Sequence, residues 1–177
     1  EALLESEALW AWDFGLDRYY FVDADRIHVS DTAWIYVERG GAVRADQVTS
    51  LAAVLESRVV PRLRDAYGTE PRPGIDGEDA VTVLLLDIRD DVHYGVEPHT
   101  YYSGYFDPVN QRRQADLTPE TPHYRSNERE MIYLDISPTD VDGAVVRQTM
   151  AHEFAHLIHW FHDDAEEEWL VQSLCEL

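Results

Sequence analysis

The chain has 177 residues and is strongly acidic, with 35 Asp and Glu residues against 14 basic residues and a formal net charge of −21. A charge of this sign opposes binding to nucleic acid and to anionic membranes, because their phosphates repel it. No apolar run reaches the roughly eighteen residues of a membrane-spanning helix. The 45% apolar composition predicts one domain, residues 1–177, with a sizeable core. The only cysteine, Cys175, excludes an internal disulfide framework.

Six strands and two long helices are predicted along the chain. In chain order these are strands at 19–22, 26–29 and 32–37, a helix at 46–67, strands at 81–88, 101–106 and 131–136, and a helix at 144–161. An Asp-Ala-Asp triplet at 23–25 predicts a hairpin turn, and Pro61 should kink the first helix or end it early. The continuous apolar run at 81–88 predicts a buried central strand.

This order of elements predicts an α+β fold. A twisted mixed sheet would be built from about residues 18–136. Two helices, within about residues 144–177, would follow it, and the first of them would pack across the sheet.

The helix predicted at 144–161 carries the pattern that points most directly to function. Its apolar face contains Met150, Phe154, Leu157, Ile158 and Phe161. His152, His156 and His159 form a stripe on another side. Residues i and i+4 lie one turn apart on the same side of a helix, so His152 and His156 can present two imidazoles to one metal ion. Glu153 would then be the general base for a water molecule that the metal activates. This His-Glu-x-x-His motif predicts a zinc hydrolase, and the alternative is two solvated histidines on an ordinary helix.

The motif and its surroundings resemble the gluzincin metallopeptidases. The strings HEFAHLIHW at 152–160 and EEEWLVQSLCEL at 166–177 are similar to the two site helices of that family, the second of which usually reads W-x-x-E-G-x-x-[DE]. Shorter strings at 73–77, 102–107 and 126–133 resemble the secreted bacterial and archaeal group that includes the hyicolysin-like and immune-inhibitor-A-like peptidases.

The resemblance has several implications beyond the motif itself. It implies a single zincin-like catalytic domain, one catalytic Zn²⁺, and a peptide or protein substrate. It further implies an extracellular or cell-surface location. The helical C-terminal subdomain that usually follows the second site helix is expected to be absent from this chain.

The chain departs from the gluzincin pattern at the third zinc ligand. Aligning the tryptophan of the second helix places Gln172 where the family has a ligating glutamate. A glutamine could ligate through its carbonyl oxygen, as a neutral and weaker ligand. Glu176 matches the carboxylate that orients a zinc histidine, and it could also reach the ion itself from one turn further on. His162 is another alternative, although a helix that continues through His159 would turn it away.

Three functions therefore stay open at this point. The first is a zinc metalloendopeptidase, which Glu153 favours because a site that only binds has no need of a base. The second is a degenerate domain that binds peptide or a protein partner with weak metal binding or none, which the neutral Gln172 favours. A metal-sequestering acidic protein is a third, less favoured reading.

Other polar residues carry alternatives of the same kind. Asp135, Asp140, Asp142, Asp163, Asp164 and Glu166 could hold Ca²⁺ or be solvated acids. His93, His99 and His123 could reach a cleft or lie at the surface. Tyr101, Tyr102 and Tyr105 could line a substrate groove or simply alternate in a half-buried strand. Either the strand at 101–106 or the strand at 131–136 could be the sheet edge that holds an extended peptide.

Overall fold

The computed structural model describes residues 5–97, 100–120 and 123–163. Its strands are β1 (Ser6–Asp13), β2 (Arg18–Val29), β3 (Ala33–Glu38), β4 (Val81–Leu86), β5 (Gly104–Phe106) and β6 (Met131–Asp135). Its α-helices are α1 (Ala45–Val54), α2 (Val60–Tyr67), α3 (Asp91–Tyr94) and α4 (Ala144–His162). A π-helical turn (Leu55–Val59) joins α1 to α2, and two 3₁₀ turns (Pro108–Gln111 and Gln114–Asp116) follow β5.

The strands form one mixed sheet in the order β1-β2-β3-β4-β6-β5. The three central strands β3, β4 and β6 are parallel, whereas β1, β2 and β5 run antiparallel to their neighbours. The predicted α+β class is confirmed, with strands and helices in one chain and α4 packed across the sheet. Within the described residues, no helix is both long enough and apolar enough to cross a membrane.

The two faces of the sheet bury separate cores. On β4, Val83 and Leu85 join the core under α1, α2 and α4, whereas Leu84 and Leu86 join a second core on the opposite face. This explains why every residue of β4 is buried, as the apolar run at 81–88 predicts. The second core consists almost entirely of strand residues, because the sheet curls over it. The backbone N–H of Trp12 in β1 reaches the Tyr105 hydroxyl in β5 at 3.0 Å and so links opposite ends of the strand order.

The predicted hairpin around residues 23–25 is wrong. Arg18–Val29 is one continuous strand, in which Tyr20 and Val22 face the second core and Asp23 faces outward. The Asp-Ala-Asp triplet therefore marks alternation within a strand and not a turn. The true hairpin partner is β1, which the sequence analysis missed, and residues 14–17 form the turn between them.

The predicted helix at 46–67 is observed, and Pro61 has the expected local effect. Because proline has no N–H to donate within a helix, the chain widens into the π turn immediately before it and restarts as α2 with Pro61 in the first turn. The predicted strands at 32–37, 101–106 and 131–136 correspond to β3, β5 and β6, although β5 is only three residues long. The predicted helix at 144–161 corresponds to α4.

Candidate active site

Helix α4 places the His-Glu-x-x-His motif at the border between core and surface. Met150, Phe154 and Ile158 are fully buried against the sheet and fix the rotation of the helix. Phe161, predicted to belong to this apolar face, is 48% exposed, so the buried face ends at Ile158. With that face held inward, His152 lies at the partly exposed border of the helix.

The imidazoles of His152 and His156 converge. Their Nε2 atoms are 3.0 Å apart, and the ring planes make an angle of 75°. Two nitrogens bound to one tetrahedral zinc ion at about 2.0–2.1 Å would lie about 3.3 Å apart. The observed pair therefore fits such an ion with a small side-chain adjustment, and imidazole nitrogen is a preferred zinc ligand.

The carboxylate of Glu153 lies between α4 and β5. The residue is 8% exposed, and the backbone N–H of Phe106 donates a hydrogen bond to the carboxylate. Burial raises the pKa of Glu153 to about 7, and the hydrogen bond from Phe106 acts in the opposite direction. A carboxyl group with this pKa can take up and release a proton near neutral pH, as a general base must.

Close packing holds β5 against α4. The hydroxyls of Ser103 and Thr149 are 2.9 Å apart. Gly104 leaves room for this approach, because a Cβ atom there would lie 2.5 Å from Thr149 Cγ2 and 2.7 Å from the carbonyl oxygen of Tyr133. No pattern in the sequence assigns a site role to Thr149 or Phe106. The contacts that involve them join segments far apart in sequence, and no spacing pattern reveals such contacts.

The position of β5 decides which strand forms the sheet edge. β6 lies between β4 and β5 and is interior, so β5, within the predicted strand at 101–106, is the edge beside the motif helix. The other edge strand, β1, belongs to the N-terminal hairpin.

The three candidates for the third zinc ligand have different outcomes. Helix α4 continues through His159, and His162 is turned toward Gly68 at the end of α2, where a Cβ atom would lie 2.8 Å from the His162 Nε2 atom. Gln172 and Glu176 lie outside the described residues. In the part of the chain that the structure describes, no group of three or more His, Cys, Asp or Glu side chains could hold a metal ion.

The other polar candidates are engaged in local contacts. His93 Nδ1 lies 3.0 Å from an oxygen of Asp87. One oxygen of Asp135 accepts from the Ile88 N–H at 3.1 Å, and the other accepts from the Tyr101 hydroxyl at 3.1 Å. These bonds give Asp135 a structural role. His99, Asp164 and Glu166 lie outside the described residues. A Ca²⁺ site stays a prediction.

An aromatic pocket lies between the N-terminal hairpin, β5 and the last turn of α4. Its volume is about 400 Å³. Five aromatic rings line it: Trp12, Phe14, Tyr105, Phe106 and Trp160. Asp107, Arg112 and His123 form its polar side. His123, predicted to reach a cleft or lie at the surface, is thus part of a pocket, and no sequence pattern indicates a role for Trp160.

Comparisons with known proteins add no relative to this description. No protein-family model matches the chain, and no curated protein is significantly similar to it. The motif, the resemblance of its surroundings and the geometry of the site are therefore the observations that indicate a function.

Proposed function

We propose that the protein is a zinc-dependent peptidase of the gluzincin type. One observation carries the proposal: the Nε2 atoms of His152 and His156 converge to 3.0 Å, and the carboxylate of Glu153, the residue next to His152, is buried. Two imidazoles and an adjacent base are the parts that a zinc hydrolase needs. The third ligand in this proposal is Gln172 or Glu176.

The chain's own residues supply the proton transfers. Bound at the histidine pair, zinc would polarise the scissile carbonyl and lower the pKa of water. Glu153 takes the proton of the attacking water and delivers it to the leaving nitrogen. The hydrogen bond from the Phe106 N–H fixes the Glu153 carboxylate against β5 and so holds the base in one orientation.

Strand β5 supports the assignment of a peptide as substrate. Among the described residues it pairs only with β6, along one edge, and it lies directly beside the base. An extended peptide could add to its other edge through backbone hydrogen bonds, which bind any sequence. Hydrolysis of peptide bonds is therefore favoured over hydrolysis of a small ester or amide. The extracellular or cell-surface location is part of the same proposal.

Gln172 supports the second candidate function, a degenerate domain that binds peptide without cleaving it. A neutral amide lacks the direct Coulomb attraction to zinc that a carboxylate has. In that case β5 would still offer its edge to a peptide, and Glu153 would have no proton to transfer.

The Glu153→Gln substitution tests the peptidase proposal. We expect the full-length variant to keep its zinc and its fold, because Gln is isosteric and Glu153 is assigned no bond to the metal. Hydrolysis of an unstructured protein such as casein should fall by about 10²–10⁴-fold or more, since general base catalysis contributes that much. Elemental analysis, circular dichroism and a fluorescent casein assay give the three readouts.

Glu130→Gln is the matched control. Glu130 is also buried, and its carboxylate also accepts a hydrogen bond from a backbone N–H, that of Ile75. It lies outside the candidate site, so the control should keep its turnover. Loss of zinc in Glu153→Gln, or full turnover in that variant, would contradict the proposed role. A wild-type protein that binds casein but never cleaves it would favour the degenerate domain.

A further inference from the structure

The aromatic pocket is joined to the candidate active site through two residues. Phe106 donates its backbone N–H to Glu153, and its side chain lines the pocket. Trp160 lies four residues after His156, one turn further along the same side of α4, and forms another part of the lining. A substrate held at the histidine pair could therefore place a neighbouring side chain in the pocket.

The walls of the pocket are held by contacts of their own. The Phe14 ring stacks on Tyr102 with centroids 4.0 Å apart. Tyr105 stacks on the buried Tyr133 at 4.2 Å, and its hydroxyl accepts the Trp12 N–H. Because packing and hydrogen bonds fix these rings, the pocket exists before a ligand enters, and little ordering entropy is lost on binding.

The polar side of the pocket offers no strong attraction to a cation. One oxygen of Asp107 accepts from the Tyr19 hydroxyl at 2.8 Å and lies 3.5 Å from His123 Nδ1. The hydrogen bond with Asp107 raises the pKa of His123, whose ring also packs on Trp12 with centroids 4.7 Å apart. Protein donors therefore already surround the carboxylate, and the exposed Arg112 adds positive charge. Ring faces and edges are left as the main contact surface.

We propose that this pocket binds an aromatic side chain of the peptide substrate close to the cleaved bond. That the bound peptide is a substrate rests on the proposed peptidase function. A volume of about 400 Å³ accommodates one aromatic side chain with its backbone. Edge-to-face and offset contacts with five rings favour an aromatic group over an aliphatic group of similar size.

The experiment measures binding without turnover. Full-length Glu153→Gln protein, labelled with ¹⁵N at its tryptophan indoles, is titrated with N-acetylphenylalaninamide, N-acetylleucinamide and N-acetyllysinamide. We expect the phenylalanine probe to shift the indole signals of Trp12 and Trp160. The same shift should need about a tenfold higher concentration of either of the other two probes. The signals of Trp10 and Trp34, which do not line the pocket, serve as internal references.

Two variants sharpen the assignment. Trp160→Ala should abolish the shift of the Trp12 signal, whereas Phe161→Ala, which removes an exposed ring from the same helical turn outside the pocket, should preserve it. Unshifted signals at millimolar probe, or shifts of Trp10 and Trp34 equal to those of Trp12 and Trp160, would overturn the pocket, whether or not Trp160→Ala folds. Tighter binding of the lysine or leucine probe would overturn the aromatic preference. Because no hydrolysis is measured, these outcomes are independent of whether the protein is a peptidase.

Discussion

At the scale of single residues, Asp135 shows how one carboxylate positions the loops beside the site. It ends β6, is 1% exposed, and accepts hydrogen bonds from Ile88 and Tyr101 and from the loop that leads to α4. Burial raises the pKa of Asp135 to about 6, although these hydrogen bonds lower it in part. A carboxyl group with a raised folded-state pKa binds its proton more tightly in the folded protein than in the unfolded chain.

The sign of that shift gives a prediction for Asp135→Asn. As the pH falls through about 6, wild-type protein gains stability from protonation of Asp135, and the gain is complete below the unfolded pKa of about 3.9. The variant lacks this gain, and its amide also leaves buried donors unsatisfied, at about 1–3 kcal/mol. Urea unfolding should therefore show a larger loss at about pH 4.5 than at about pH 7.

Asp116→Asn, which removes an exposed carboxylate, controls for the loss of one negative charge. An equal cost of Asp135→Asn at both pH values, or a larger cost at pH 7, would show that Asp135 is not protonated in the folded state across this range.

The residues of the site differ in how far the sequence could predict them. The spacing of His152 and His156 is local, and the geometry of a helix converts it directly into a shared face. The partner of Glu153 is not local: the Phe106 N–H comes from β5, which the sequence predicts as a strand without indicating that it packs beside α4. The exclusion of His162 as a ligand follows from the continuity of α4 alone. The sequence predicts this continuity, because residue 159 is not a helix breaker.

At the scale of elements, the contact between β5 and α4 determines the orientation of the base. Gly104 is the position where the two elements come closest, since any Cβ atom there would overlap Thr149 and the backbone of Tyr133. We expect Gly104→Ala to push β5 away from α4 and to cost about 1–3 kcal/mol of stability. The Phe106 N–H should move with the strand, so peptide hydrolysis should fall by more than the loss of folded protein explains.

Gly77→Ala is a control that should lower the stability of the protein by a similar amount. Gly77 has a φ of +88° and open space around it, so alanine there introduces backbone strain of about 1–2 kcal/mol without touching the site. Urea unfolding and casein hydrolysis of both variants separate the two effects. If both variants lose activity only in proportion to their stability, β5 does not orient the base.

The errors of the element prediction have a common physical origin. Apolar runs and apolar alternation identified β3, β4 and β6, because those strands are buried in the middle of the sheet. In β2, the Asp-Ala-Asp sequence is typical of a turn, but aspartates also occur on the exposed face of a strand. The pattern of β1, with Leu9 and Ala11 inward and Trp10 and Trp12 outward, shows the same alternation and could have been used.

At the scale of the whole molecule, the curl of the sheet creates the aromatic pocket. Trp12 and Phe14 come from the N-terminal hairpin and Phe106 from the opposite end of the strand order, and they meet because the sheet is curled. Neither composition nor periodicity contains this information. The charge of −21 is likewise a property of the whole surface, which opposes anionic partners and favours neutral or basic peptides.

Metal content tests the central claim most directly. Elemental analysis of the full-length protein should find about one zinc ion per chain, the stoichiometry of a single catalytic site. His152→Ala and His156→Ala should each lose that zinc, because each removes one of two converging ligands. His162→Ala should keep it, since that ring lies against Gly68 at the end of α2. A wild-type protein without zinc after dialysis against the metal, or zinc that is lost in His162→Ala and kept in His156→Ala, would contradict the account.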